Sequence, residues 1–92
     1  MEIESVLLDH DNIEQCAVVG VADKTWGEAV AVACVLQPDS ELDLKELKYW
    51  CHDRMSKYKI PKQLKIVEQL PRNAMGKIQK PAVAGMFSED EG

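Results

Sequence analysis

The 92-residue chain has the length of one small domain, and its 46% hydrophobic and 29% charged residues are typical of an ordinary folded protein. The formal net charge of −5 disfavours nucleic-acid binding, because such surfaces need many Lys and Arg side chains that face phosphates. No apolar stretch approaches the roughly 18 residues of a membrane span and no secretory signal is recognisable, so we expect an intracellular protein without a membrane span.

A short helix is predicted at the start of the chain. Ile3, Val6 and Leu7 fall on one helical face, and the polar cluster at residues 9–12 ends the pattern. Met1 leads into this helix without an N-cap residue in front of it. We therefore expect the natural chain to begin further upstream.

Two antiparallel strands are predicted next, at residues 16–21 and 29–36, because both segments are rich in valine and other apolar residues. Residues 22–28 separate the two strands. Pro38 and Asp39 end the second strand, since proline cannot donate a hydrogen bond within a sheet and Asp favours turns.

The second helix has the clearest pattern in the chain. Asp43 and Glu46 are spaced as a capping pair at its start. Its predicted apolar face consists of residues that recur at helical spacing, namely Leu44, Leu47, Cys51 and Met55. We expect this helix to extend to Met55.

A basic connection at residues 57–61 follows, and the alternation of Leu64 and Ile66 then predicts a short third strand that ends near Glu68. A loop punctuated by Pro and Gly occupies residues 70–77.

The final helix is predicted to begin at Lys80 and Pro81, since proline suits the first turn of a helix. Gly85 weakens this helix. Its predicted buried face consists of Val83, Met86 and Phe87.

The element order α-β-β-α-β-α predicts a small α+β domain at residues 1–87, with one three-stranded sheet and helices packed on it. Residues 88–92 form an acidic tail without an apolar residue to bury, and we expect it to be disordered.

The three cysteines lie at wide spacings inside apolar patterns, and none belongs to a CxxC pair. We interpret them as small hydrophobic core residues rather than as disulfide partners or metal ligands, and we predict no metal site. They are Cys16, Cys34 and Cys51.

Motifs of a self-contained active site are absent from the sequence, which has no glycine-rich phosphate loop, no HExxH helix and no GxSxG turn. His10 and His52 lie on separate predicted helices, and we interpret them as a helix-end residue and a solvated helix-face residue.

The loop at residues 70–80 carries the strongest functional pattern. Gly76 allows a positive φ or a close backbone approach, and Lys77 adds a compact ammonium group on a long stem. This arrangement can present one cation to an anion. An exposed loop lysine is usually only solvated, so the pattern alone does not decide its role.

The same loop reads Leu-Pro-Arg-Asn-Ala-Met-Gly-Lys-Ile-Gln-Lys and resembles the terminal signature of adenylate-forming enzymes, specifically the C-terminal domain of AMP-forming acyl-CoA synthetases. Three further segments match the family in order, at residues 18–23, 26–28 and 58–61. The pattern is most similar to the malonyl-CoA synthetase and mitochondrial acyl-CoA synthetase branch.

This resemblance implies that Lys77 is catalytic and bridges the substrate carboxylate and the α-phosphate region of ATP during adenylation, while Gly76 shapes the loop. It implies ATP and coenzyme A as cofactors, with Mg²⁺ held mainly by the N-terminal domain. The partners implied are that N-terminal domain, which this chain lacks, and a carboxylic acid substrate.

For coenzyme A, the resemblance implies that Trp26 and Gly27 approach the adenine, although a tryptophan in so small a domain can equally be packed in the core. Lys57 and Lys59, with Lys62, are implied to meet the phosphates of coenzyme A. Arg72 is interpreted as a surface or interdomain contact, and Lys80 as an exposed residue rather than a phosphate ligand.

The expected function is therefore that of a mobile C-terminal domain of an acyl-CoA synthetase, inactive alone, in a mitochondrial or cytoplasmic enzyme, with the mitochondrion favoured by resemblance. A stand-alone binding or regulatory module of the same fold is the alternative, and a plain interaction domain is a second one. The resemblance does not identify the acyl substrate.

Overall fold

The structure is a computed structural model that describes residues 3–23 and 27–88. Three helices and three strands follow in the predicted order: α1 (Ile3–Leu7), β1 (Ile13–Asp23), β2 (Gly27–Leu36), α2 (Leu44–Cys51), β3 (Gln63–Ile66) and α3 (Lys80–Ser88). A 3₁₀ helix at Lys57–Lys59 lies in the predicted basic connection. The prediction of an α+β domain is confirmed.

The three strands form one mixed sheet in the order β1-β2-β3. β1 and β2 pair antiparallel, as predicted, with Cys16 opposite Cys34 and Gly20 opposite Val30. β2 and β3 pair parallel, which requires a long crossover, and α2 lies within that connection. Both strands of the hairpin are longer than predicted and extend into the segment that the sequence assigned to the turn.

Each face of the sheet has its own apolar cluster, because successive side chains of a strand point to opposite faces. On the face that packs against α1 and α2, here called the α2 face, the buried residues include Cys16, Val32, Cys34, Leu7 and Leu47. On the opposite face, here called the α3 face, they include Ala17, Ala31, Ala33, Val83 and Phe87. The sheet is thus covered on both sides.

The predicted start of α2 is confirmed, since the Asp43 side chain accepts a hydrogen bond of 2.8 Å from the Glu46 amide. Its predicted end is wrong, because the helix ends at Cys51 rather than Met55. The next residue, His52, donates to two successive carbonyl groups, and the chain then turns. Met55 nevertheless packs against the α2-face cluster, which explains why it fits the apolar pattern.

The start of α3 at Lys80 agrees with the sequence. Val83 and Phe87 are buried and Met86 is half-buried, so the predicted inner face is confirmed. Ser88, which the sequence assigned to the tail, is the last residue of α3. Residues 89–92 of the predicted tail lie outside the described residues. No helix in the part of the chain that the structure describes is long and apolar enough to cross a membrane.

All three cysteines are buried and unpaired, which confirms their interpretation as core residues. Burial raises the pKa of the Cys16 thiol to about 11 and that of Cys34 to about 12. Both thiols are therefore neutral at physiological pH.

Candidate functional site

The base of the lysine loop, residues 70–80, is fixed to the α3 face. Leu70 is buried there and Ile78 packs against the same cluster. Arg72 and Ile78 form an isolated antiparallel bridge, and the Gln79 amide donates to the Pro71 carbonyl at 2.9 Å. The two ends of the loop therefore leave the domain side by side, as in a short hairpin.

Asn73 organises the turn at the tip. Its carbonyl accepts from the Gly76 amide and its amide donates to the Lys77 carbonyl, each at 2.9 Å. Its side-chain Oδ1 also accepts from the amides of Met75 and Lys77, again at 2.9 Å. Sequence reasoning missed this role, although an Asn shortly before a Gly is a known signal for turns closed by the side chain.

Gly76 has a φ of 84°, as the sequence allowed. A Cβ built there meets no atom within 4 Å, so backbone conformation rather than space favours glycine at this position. The positive φ brings Lys77 back toward Asn73 and closes the turn.

Arg72 ties the loop to the sheet. One nitrogen of its guanidinium donates to the Gly76 carbonyl at 2.7 Å, and another donates to Oε1 of Gln15 on β1 at 2.8 Å. Arg72 is exposed, as expected of a surface residue, but its contacts within this domain are structural. They hold the tip of the loop against the beginning of β1.

Lys77 itself is exposed, and within residues 3–23 and 27–88 its ammonium group forms no hydrogen bond or ion pair. Its backbone is fixed by two hydrogen bonds to Asn73 while its side chain stays available. The loop can therefore offer a positive charge, with three hydrogen-bond donors, to a ligand outside the domain.

A groove of about 830 Å³ contains most of the other predicted site residues. Its floor is formed by Val18, Gly20 and Val30, all on the α2 face of the hairpin. Its rim carries three basic residues and one aromatic residue, namely Lys57, Lys59, Lys62 and Tyr58. This surface can accommodate a ligand with an apolar part and anionic groups.

Glycine shapes one end of this groove. A Cβ on Gly20 would lie 2.9 Å from Cδ of Glu28, so glycine makes room for that carboxylate against the strand. Gly27, directly before Glu28, has a φ of 81°. Trp26 lies outside the described residues, and its predicted contact with adenine stays a prediction.

The lysine loop and the groove lie on opposite faces of the sheet. Ile78 packs with the α3-face cluster, whereas Val18 of the groove packs with the α2-face cluster. Along β1, Gln15 at the loop and Gly20 in the groove are separated by about 17 Å at about 3.4 Å per residue. The predicted residues thus form two sites, with Gly76 and Lys77 in one and Lys57 and Lys59 in the other.

The two histidines lie outside both the lysine loop and the groove. The His10 ring is half-buried with its centroid 4.8 Å from that of Trp50, and its Nδ1 accepts from the Asn12 amide at 3.0 Å. His52 is exposed beside Asp53. Among the described residues, no group of three or more His, Cys, Asp or Glu side chains can hold a metal ion.

Comparison with known proteins gives a consistent result. The family model described as AMP-binding enzyme C-terminal domain matches residues 2–77. Human mitochondrial malonate–CoA ligase ACSF3 is 41% identical over 87 residues, which cover 95% of this chain and 15% of that protein.

Solved structures agree. Apo MatB from Rhodopseudomonas palustris superposes with a TM-score of 0.89 at 29% identity, covering 98% of this chain and 18% of that one. The o-succinylbenzoate CoA synthetase MenE from Bacillus subtilis, in complex with the acyl-adenylate intermediate OSB-AMP, gives a TM-score of 0.81 at 36% identity, with coverages of 89% and 16%. The chain thus spans less than a fifth of the length of these relatives.

Proposed function

The chain belongs to the family of AMP-binding enzyme C-terminal domains, and from this premise we propose that it is the mobile C-terminal domain of an AMP-forming acid–CoA ligase. The complete enzyme would convert ATP, a carboxylic acid and coenzyme A into an acyl-CoA, AMP and pyrophosphate. This domain would supply the adenylation lysine and part of the surface that binds coenzyme A. The body that binds ATP and the acid lies outside the 92 residues.

In the first step, a carboxylate oxygen of the acid attacks the α-phosphorus of ATP and the bond to pyrophosphate breaks. Negative charge gathers on the oxygens around the phosphorus, where the Lys77 ammonium would bridge the carboxylate and the α-phosphate. A preorganised donor of this kind contributes about 10²–10³ in rate. Lys77 does not need to accept a proton in this role.

The observation that carries this proposal is the contrast between the backbone and the side chain of Lys77. Asn73 and Gly76 fix the backbone, yet the ammonium group has no partner within residues 3–23 and 27–88. Such a side chain contributes no hydrogen bond or ion pair to the described part of its own domain, and the fixed backbone holds it in place for a ligand bound elsewhere. Mg²⁺ would be held mainly by the N-terminal domain. The described residues contain no group of three or more His, Cys, Asp or Glu side chains that could hold a metal ion.

In the second step, the thiolate of coenzyme A attacks the acyl carbonyl carbon, and AMP leaves as the thioester forms. Lys57 and Lys59 on the groove rim would attract the phosphates of coenzyme A, while the apolar floor would contact its less polar parts. A second solved structure of the relative MenE, a double mutant, contains the product analogue OSB-NCoA.

The two sites lie on opposite faces of the sheet, which supports a change in the orientation of the domain between the two steps. A rigid sheet cannot present both faces to one reaction centre at the same time. Rotation of the whole domain would withdraw Lys77 after adenylation and turn the groove toward the acyl-adenylate, as hinge motions do in other enzymes.

The decisive test compares Lys77→Ala with Lys48→Ala in the intact ligase, where Lys48 is an exposed lysine on α2. We expect Lys77→Ala to slow adenylation by about 10²–10³ and to leave thioester formation from supplied acyl-AMP nearly unchanged. Lys48→Ala should leave both half-reactions unchanged. Equal losses in the two half-reactions of Lys77→Ala would contradict the assigned role.

A second test addresses the inactivity of the isolated domain. The 92-residue chain should release no pyrophosphate when it is incubated with ATP, coenzyme A and a panel of carboxylic acids. Among the described residues, the lysine loop and the groove lie on opposite faces of the sheet and do not share a cavity. Turnover by the purified chain would show that the domain needs no larger body.

Location in mitochondria, proposed because the human relative is mitochondrial, is open to test by cell fractionation.

A further inference from the structure

We propose that Glu4 and Lys80 form a clamp that positions the lysine loop for adenylation. This inference rests on the proposed function of Lys77. Glu4 lies on α1 and Lys80 is the first residue of α3, so the clamp joins the two ends of the described chain. Sequence reasoning interpreted Lys80 as an exposed residue, which the structure confirms, and the structure adds two partners for its ammonium group.

The contacts of the clamp converge on one residue of β1. Oε2 of Glu4 accepts a hydrogen bond from the Val18 amide at 2.7 Å and a second one from the Lys80 ammonium group. The same ammonium group donates to the Val18 carbonyl at 2.8 Å. Since β1 is an edge strand, Glu4 and Lys80 occupy backbone groups of Val18 that have no neighbouring strand to pair with.

The clamp acts directly on the trailing end of the lysine loop. Lys80 follows Lys77 by three positions, and between them Ile78 is packed on the sheet and the Gln79 amide is bonded to Pro71. Lys80 therefore fixes the point at which the loop becomes helix. The hydrogen bonds of Lys80 define this point more narrowly than apolar packing alone, because apolar contacts are not directional.

Charge adds to this geometry. Partial burial raises the pKa of the Glu4 carboxyl, but hydrogen bonds from Lys80 and from the Val18 amide outweigh it and hold the pKa below its ordinary value. Glu4 is thus ionised at neutral pH. The side chains of Glu4 and Lys80 are 30% and 46% exposed, so the pair is partly shielded from solvent.

Amide hydrogen exchange in the 92-residue chain tests the clamp without any assay of activity. We expect the Gln79 and Lys77 amides to exchange about fivefold faster in Glu4→Gln and in Lys80→Met, and no faster in the double variant than in either one. Lys80→Arg should restore the wild-type exchange, and Lys48→Met is the matched control. Unchanged exchange in both clamp variants would overturn the proposal.

The intact ligase supplies the second readout. Glu4→Gln should lower kcat for adenylation about fivefold with KM for ATP unchanged, and should spare thioester formation from acyl-AMP. Equal losses in both half-reactions would assign the pair a purely structural role and overturn the proposal. If Lys77→Ala leaves adenylation intact while the clamp variants still loosen the loop, the proposed function fails and the positioning of the loop stands.

Discussion

Two glycine-to-alanine substitutions should change stability in opposite directions, although both add a methyl group in open space. A Cβ at Gly76 or at Gly85 meets no atom within 4 Å. Steric contact therefore cannot distinguish the two positions. Backbone conformation can, because Gly76 has a φ of 84° whereas Gly85 lies within α3 and has no positive φ.

The expected magnitudes follow from that difference. Alanine at Gly76 costs about 1–2 kcal/mol in the left-handed region, and the smaller entropy of its unfolded chain returns about 0.4–1 kcal/mol. Gly76→Ala should therefore lower the free energy of unfolding by about 1 kcal/mol, the difference between these terms. Gly85→Ala should raise it by about 1 kcal/mol, the gap between the helix propensities of the two residues.

Thermal unfolding followed by circular dichroism measures both effects. For a domain of this size, about 1 kcal/mol moves Tm by roughly 4–8 °C, so the two variants should differ from each other by about 8–16 °C. The double variant should melt close to the wild type, because the two positions do not share a contact. Shifts of the same sign for both single variants would refute the conformational reasoning.

Three further predictions concern the loop, the core and the clamp. Asn73→Ala in the intact ligase should slow adenylation about five- to tenfold by removing two acceptor contacts, whereas Asn73→Asp, which keeps both acceptors, should stay near the wild-type rate. None of the three cysteines should react with a thiol reagent at pH 8 in the native chain, since a pKa of about 11 at Cys16 leaves little thiolate, and all three should react in guanidinium chloride. Glu4→Gln should destabilise the domain by about 0.5–1 kcal/mol near pH 7 in chemical unfolding. The folded-state pKa of Glu4 is lowered, so this contribution to stability is present above the unfolded-state pKa. The difference in unfolding free energy between variant and wild type should therefore vanish as pH falls through the folded-state pKa. A difference that persists in acid would contradict the ionic interaction.

Local patterns in the sequence predicted the order of the helices and strands, because the residues that favour or begin each element lie within that element or next to it. Valine-rich segments gave the hairpin, Asp43 gave the start of α2, and Pro81 gave the start of α3. The end of α2 was predicted too late, since Met55 fits the helical spacing but reaches the same apolar cluster from a turn. Spacing alone cannot separate these two arrangements.

Contacts between distant segments were not predictable from the sequence. Arg72 bonds Gln15 across 57 positions, and Lys80 bonds Glu4 across 76 positions. Each of these side chains looks like an ordinary exposed residue in its local sequence, because its partner is set by the packing of the sheet and not by spacing. The signature around Lys77 was recognisable for the opposite reason, since its proline, glycine and lysine lie within residues 71–77 of one continuous segment.

A catalytic side chain that belongs to a moving domain must meet two physical requirements that conflict inside an ordinary core. It must be accessible, because its ligand is bound by another body, and it must arrive in a narrow range of positions, because misplacement sharply reduces the rate. Burial would satisfy the second requirement and violate the first. The lysine loop meets the two requirements with different parts of its structure. Asn73, Gly76 and Arg72 restrict the backbone, while the Lys77 side chain stays exposed. Flexibility is then confined to a single lysine stem, and in the role proposed for Lys77 its ordering on a phosphate would cost at most about 2 kcal/mol, less than the stabilisation of several kcal/mol expected of such a charge.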